Sequence, residues 1–280
     1  MTGLRSLDRA HGLGPGDHAG WAYDDVSELR AACVDYLADG LDRRERLVYL
    51  GGRPRDALVD DLTGLAGRDA LLDDGRLSVV TIKEHLDRGG AIDARMQLDA
   101  RRQMARDAVA AGYSGLRVVG DITEVVVRPD LMDSLVEFEL AMHNALSAAS
   151  ITTMCAYDRR RAGERWRQVS ALHEIQHAPD EHPSFTLGRT GSALTLAGEL
   201  DLTSVTDLDV LLGHLARTTS GALTFELPEL TFIDVAATRR LARFQRTMAA
   251  TGRVVFFRKL TPAARRTFRA FAMAEANELT

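Results

Sequence analysis

Two cysteines in 280 residues, Cys33 and Cys155, are too few and too scattered for a disulfide framework or a zinc motif of closely spaced ligands. They are expected to be small core residues of a chain kept in a reducing, cytoplasmic compartment. Lysine is equally scarce: Lys83 and Lys259 are the only two, and neither lies near a glycine-rich turn. No apolar run approaches the ~18–20 residues that span a bilayer, and the opening residues lack the apolar core of a secretory signal. No membrane association is therefore expected. Strong basicity is missing too. Residues 184–280 hold 12 basic and 9 acidic side chains, leaving 23 basic and 31 acidic in 1–183. Neither half has the positive excess that points to nucleic acid.

The chain has an ordinary globular composition, 45% hydrophobic and 27% charged, and length for two domains. A break with two prolines and two acidic residues falls at Gln176-His-Ala-Pro-Asp-Glu-His-Pro-Ser184. It divides the chain into a first domain at 1–178, a linker at 179–183 and a second domain at 184–280. Before the break, short apolar runs alternate with amphipathic stretches. Strands are expected at 19–23, 47–50, 77–82, 116–119 and 151–157, and helices at 26–41, 54–66, 91–111, 131–148 and 165–175. That alternation implies βαβ units and a mainly parallel sheet, an α/β domain. After the break, a hairpin at 185–187 and 193–196 precedes helices at 204–218, 236–250 and 262–272. These alternate with strands at 222–227 and 254–257, giving a smaller α/β domain.

Three groups in the first half carry candidate chemistry. Gly16-Asp-His-Ala-Gly-Trp-Ala-Tyr23 opens the first strand with a histidine and two aromatics. Gly112-Tyr-Ser-Gly-Leu-Arg-Val-Val-Gly-Asp121 places Arg117 and Asp121 four apart on one strand, hence on one side of it. Met154-Cys-Ala-Tyr-Asp158 ends the last strand. In this order and spacing they resemble the MEDS sensory domain, a RecA-like α/β module of bacterial regulators. The resemblance covers about 14–178 and implies an unidentified small organic ligand. His18, Trp21, Tyr23, Arg117 and Asp121 are the expected ligand-binding residues, taken to meet at the strand ends where open α/β folds leave a crevice. The chain departs from the family at Gly120-Asp-Ile-Thr-Glu-Val, where a Trp usually follows the acidic residue.

A RecA-like sheet raises the rival reading of a divergent nucleotide-binding enzyme. Phosphate cradling needs G-x-x-x-x-G-K-[ST], and Gly12-Leu-Gly-Pro-Gly16 has glycines without the lysine. No Ser–His–Asp or Cys–His constellation is readable, so no catalytic residue, cofactor or metal site is assigned and no enzyme is expected. His173 and His177, four apart at an expected helix end, read as capping residues beside a solvated linker.

In the second half, Gly198-Glu-Leu-Asp-Leu-Thr-Ser204 and Glu226-Leu-Pro-Glu-Leu-Thr-Phe-Ile-Asp-Val-Ala-Ala-Thr-Arg-Arg-Leu241 read as strand ends leading into helices, with Asp234 as a cap. The order of elements resembles the STAS domain of anti-sigma-factor antagonists. In many members the residue after that Asp is a Ser or Thr phosphorylated by a partner kinase; here it is Val235. The resemblance implies a partner, an anti-sigma factor or kinase-like regulator, contacting Asp234, Val235, Arg239 and Arg243. The whole reads as a cytoplasmic signalling regulator whose sensor controls a STAS domain that cannot be phosphorylated. A constitutive scaffold with degenerate pockets is a further rival, and the oligomeric state, homodimer included, stays open.

Overall fold

A computed structural model describes residues 5–85, 92–146, 149–178 and 181–271. Ala91, Ser147, Ala148, Pro179, Asp180 and Ala272, at the ends of expected helices or in the linker, lie outside the described residues.

The first half contains strands β1 (Arg5–Ser6), β2 (His18–Tyr23), β3 (Arg46–Gly51), β4 (Leu77–Thr81), β5 (Leu116–Asp121), β6 (Ile151–Asp158) and β7 (Ile175–His177). Its helices are α1 (Val26–Asp42), α2 (Arg55–Asp61), α3 (Arg68–Asp73), α4 (Ile82–His85), α5 (Ala94–Ala110), α6 (Thr123–Val126), α7 (Met132–Leu146), α8 (Arg159–Ala162) and α9 (Arg165–Ser170). The seven strands form one sheet in the order β1-β7-β2-β6-β5-β3-β4, every pairing parallel. Strands β2 and β5 are buried at every residue, as expected when helices cover both faces. On one face Ala19, Trp21, Tyr23, Tyr49 and Val119 pack against Leu29, Cys33 and Leu37 of α1. On the other, Ala22, Val48, Val118 and Cys155 pack against Leu98 of α5 and Leu135, Phe138 and Met142 of α7. Side chains that start helices are those the sequence marks: Asp25 accepts from Ser27 N, and Asp93 from Met96 N.

Two expected helices end early, and that over 54–66 stops at Asp61. The helix over 165–175 stops at Ser170, and Ile175–His177 is a strand inserted between β1 and β2. Gln176 is fully buried, and its side-chain amide donates to Ser170 O and His173 O, closing the helix end. The turn between α9 and β7 thereby points His173 into the core.

The second half adds β8 (Phe185–Thr190), β9 (Ala193–Leu200), α10 (Val205–Thr218), β10 (Leu223–Glu226), β11 (Leu230–Ile233), α11 (Val235–Ala250), β12 (Val255–Arg258) and α12 (Pro262–Ala270). Strands β8 and β9 form the expected antiparallel hairpin; β11-β9-β10-β12 are parallel. Leu230–Ile233, ahead of the Asp234 cap, is itself a strand, paired with Gly198–Leu200 of β9.

Helix α7 belongs to both cores. Leu135, Phe138 and Met142 face the first sheet, while Val136 and Leu140 join the cluster of the second domain with Leu187, Leu208 and Leu212. The two stripes are each spaced three or four residues apart, as two faces of one helix require. Polar contacts reinforce the junction. Leu187 N donates to Ala171 O at 2.7 Å, and Arg217 of α10 makes a forked contact with Asp133 of α7 at 2.9 and 2.8 Å.

Candidate functional site

The expected ligand residues do not meet at one place. His18 is the first residue of β2 and shares its face with Gly20 and Ala22; Trp21 and Tyr23 alternate onto the opposite face. Trp21 stacks flat on His177 at 3.7 Å. Arg117 and Asp121 also lie on that opposite face, at the two ends of β5. Arg117 is fully buried and saturated: Nε donates to Glu45 Oε2 at 2.5 Å and Nη2 to Leu13 O at 2.8 Å, with Nη1 3.3 Å from Asp39. Its guanidinium also sits over the Tyr36 ring. It ties α1 to the sheet. Asp121 accepts from Thr123 Oγ1 and N and from Tyr23 OH, and burial raises its pKa. His18 and Arg117 stand at the N-terminal ends of their strands and only Asp121 at the C-terminal end. Three residues at strand ends thus do not form one crevice.

His18 instead joins three residues from distant parts of the chain. Glu139 comes from α7, Cys155 from β6, and His173 from the turn after α9; all four are buried. His18 Nε2 lies 3.1 Å from Glu139 Oε2 and 3.5 Å from Cys155 Sγ. His173 Nε2 is 3.6 Å from the same Glu139 oxygen. The imidazoles of His18 and His173 tilt against each other at 4.3 Å. Burial pushes the pKa of His18 well down and that of His173 to about 3, and drives the Cys155 thiol well up. The rings and thiol are held neutral against a carboxyl group. The expected solvated pair of His173 and His177 is corrected: His173 is fully buried, and His177 lies in β7 against Trp21.

A cavity of ≈ 50 Å³ opens beside this cluster between α5, α7 and the sheet. Leu50, Ile122, Val125, Leu135 and Phe138 give it apolar walls; Arg101, Glu139, Thr153 and Cys155 give it polar ones. Arg101 Nη1, Thr153 Oγ1 and both Glu139 oxygens are buried with no hydrogen-bond partner among the described residues. Desolvation lowers the Arg101 pKa. The volume suits a few waters or a molecule of few heavy atoms.

The order of elements and this cavity under the sheet bear on family. Residues 17–174 match the family model described as MEthanogen/methylotroph, DcmR Sensory domain, or MEDS. The chain belongs to the MEDS family. Residues 185–280 match a second family model, described as Mlab, STAS domain. No curated protein matches the chain. A MEDS sensory domain followed by a STAS domain is the arrangement of a signalling or regulatory protein.

In the STAS domain Asp234 caps α11, accepting from Ala237 N at 2.7 Å. Val235 is half exposed and stands with exposed Phe232 at the same helix start. Arg239, Arg243 and Arg246 line the exposed side of α11, and among the described residues none pairs with a carboxylate. Thr238 is fully buried, and its hydroxyl donates to Asp234 O at 2.7 Å.

Sequence reasoning isolated His18 but missed Glu139, Cys155, His173 and Arg101. One signal was available. Glu139 interrupts an apolar helix face between Leu135, Phe138 and Met142, where a carboxyl group needs a partner.

Proposed function

We propose that the MEDS domain takes a small organic molecule into the cavity under α5 and α7, and that occupancy controls how the STAS domain meets its partner. The observation that carries this reading is the set of unpartnered polar atoms on Arg101, Thr153 and Glu139 facing a mostly apolar cavity. Convergent polar groups in an apolar pocket are what a small ligand with one polar end requires. Helix α7 links the two functions, since Phe138 and Glu139 border the cavity while Val136 and Leu140 pack into the STAS core. A shift of α7 on ligand binding reaches the second domain directly.

The partner is an anti-sigma factor or kinase-like regulator engaging Asp234, Val235, Arg239 and Arg243, in a cytoplasmic regulator of transcription. Among the described residues no helix is long and apolar enough to cross a membrane. The nucleotide reading is disfavoured by the turn after β2. There Asp24 and Asp25 lead into α1, and the Asp25 and Glu28 carboxylates already accept from Ser27 N and Asp24 N. A phosphate would meet acidic side chains where it needs free amides.

Thermal denaturation of the full chain with a panel of short-chain alcohols, amides and carboxylic acids tests the sensor. At 100 times its dissociation constant a true ligand stabilises by about 2.7 kcal/mol. Arg101→Met should abolish that shift while keeping the unliganded melt. A panel without effect, or an unchanged shift in the variant, refutes the pocket.

A further inference from the structure

We propose that His18, Glu139, Cys155 and His173 bind one divalent transition-metal ion of the zinc class. Two imidazoles, a carboxylate and a thiolate form a mixed nitrogen, sulfur and oxygen set that suits zinc rather than calcium or magnesium. All four donor atoms lie within 4.8 Å of one another. Bonds of about 2.0–2.3 Å in a tetrahedron place donors roughly 3.3–3.8 Å apart. Three of the separations here, 3.1, 3.5 and 3.6 Å, are close to that.

Two of the four donors, on His173 and Glu139, are left by the hydrogen bonding without a partner among the described residues. His173 Nδ1 donates to Val169 O at 2.9 Å, which fixes the tautomer and turns a lone pair on Nε2 toward Glu139. That backbone tie on the far nitrogen is the support metal-bound histidines ordinarily have. His173 Nε2 and both Glu139 oxygens have no hydrogen-bond partner among the described residues. Glu139, at 0% exposure, faces two imidazoles and a thiol, and a cation at the centre of the four donors would give a buried carboxylate there its countercharge. Arg101, the cation bordering the adjacent cavity, forms no ion pair with Glu139 among the described residues.

Charge balances as well. As the ion binds, the Cys155 thiol loses its proton to solvent and a metal–sulfur bond forms. The thiolate and the Glu139 carboxylate together neutralise a dication, so the loaded cluster carries no net charge. The strand beneath is cut to fit. A Cβ on Gly20 would stand 3.1 Å from His173 Cγ and 2.6 Å from Tyr157 OH, so glycine leaves the imidazole its place. Of the four, His18 also borders a cleft of ≈ 270 Å³ between the domains, with His143, Asn144, Glu174 and Arg189. This site stands whether or not the neighbouring cavity takes an organic ligand.

The test uses the full chain stripped with a chelator and titrated with Co²⁺, then with competing Zn²⁺. The expected result is one equivalent bound, with a thiolate-to-cobalt charge-transfer absorption that Zn²⁺ abolishes. Cys155→Ala should lose that absorption, whereas Cys33→Ala, on the opposite face of the sheet, should keep it. Glu139→Gln, nearly isosteric, should weaken binding at least tenfold and serves if Cys155→Ala fails to fold. Absence of stoichiometric binding, a band that survives Cys155→Ala or disappears in Cys33→Ala, or unchanged affinity in Glu139→Gln overturns the proposal.

Discussion

Asn144 and Gly191 exchange two hydrogen bonds between the domains: Asn144 Nδ2 donates to Gly191 O, and Gly191 N donates to Asn144 Oδ1, each at 2.8 Å. Gly191 has φ +60°, the left-handed turn of the β8–β9 hairpin, so the pairing locks that hairpin onto the end of α7. The MEDS and STAS domains are therefore one mechanical unit at this helix.

Leu140→Ala should destabilise both domains together by about 2–5 kcal/mol, because Leu140 is a first-domain residue 1% exposed inside the second domain's core. A calorimetric scan should show a single transition moved down. Two separate transitions, with only one displaced, would show that the cores are independent.

Arg117→Ala should cost about 3–5 kcal/mol by leaving Glu45 and Asp39 buried beside a missing cation. Chemical denaturation measures it. The metal and ligand affinities of the folded fraction should stay unchanged, since Arg117 faces α1 and the cavity lies across the sheet. A stable variant with lost ligand binding would return Arg117 to the site.

The Asp133 contact predicts a pH signature. Hydrogen bonds from Arg217, and then His214, hold the Asp133 pKa below its ordinary value, so its contribution is present above about pH 4 and disappears as pH falls through the folded pKa. The pair is partly exposed, so Asp133→Asn should cost about 1 kcal/mol or less at neutral pH. That difference should shrink toward zero in acid. A difference that grows in acid contradicts the assignment.

No phosphate should appear on residues 230–240 after incubation with a cognate kinase. Val235 has no acceptor oxygen, the Thr231 hydroxyl donates to Gly198 O, and the Thr238 hydroxyl is buried and bonded to Asp234 O. Mass spectrometry decides it; a stoichiometric phosphothreonine at 238 would restore a phosphorylation switch.

The alternation of strands and helices was readable because most strands are apolar runs and five of the described helices, α1, α5, α8, α11 and α12, open on an Asp or Thr cap. Strand β7 was not, since Ile175-Gln-His177 is three residues with a buried polar centre, and only tertiary hydrogen bonds make it extended. Part of the site was legible and misread. His18 and Trp21 differ by an odd number, so a strand's period of two already sets them on opposite faces. The remainder was out of reach of local pattern. Glu139, Cys155 and His173 come from a helix, a strand and a turn far apart in sequence, and Cys155 meets His18 only because β6 pairs with β2.

The double duty of α7 also limits how this chain can be recombined. Transplanting residues 1–178 onto another output module would strand Val136, Leu140 and Asn144 in water unless the recipient offered a matching groove and hairpin. Exchange of domains by simple fusion at the linker is thus barred by one helix, and a workable chimera must carry α10 and the β8–β9 hairpin along with the sensor.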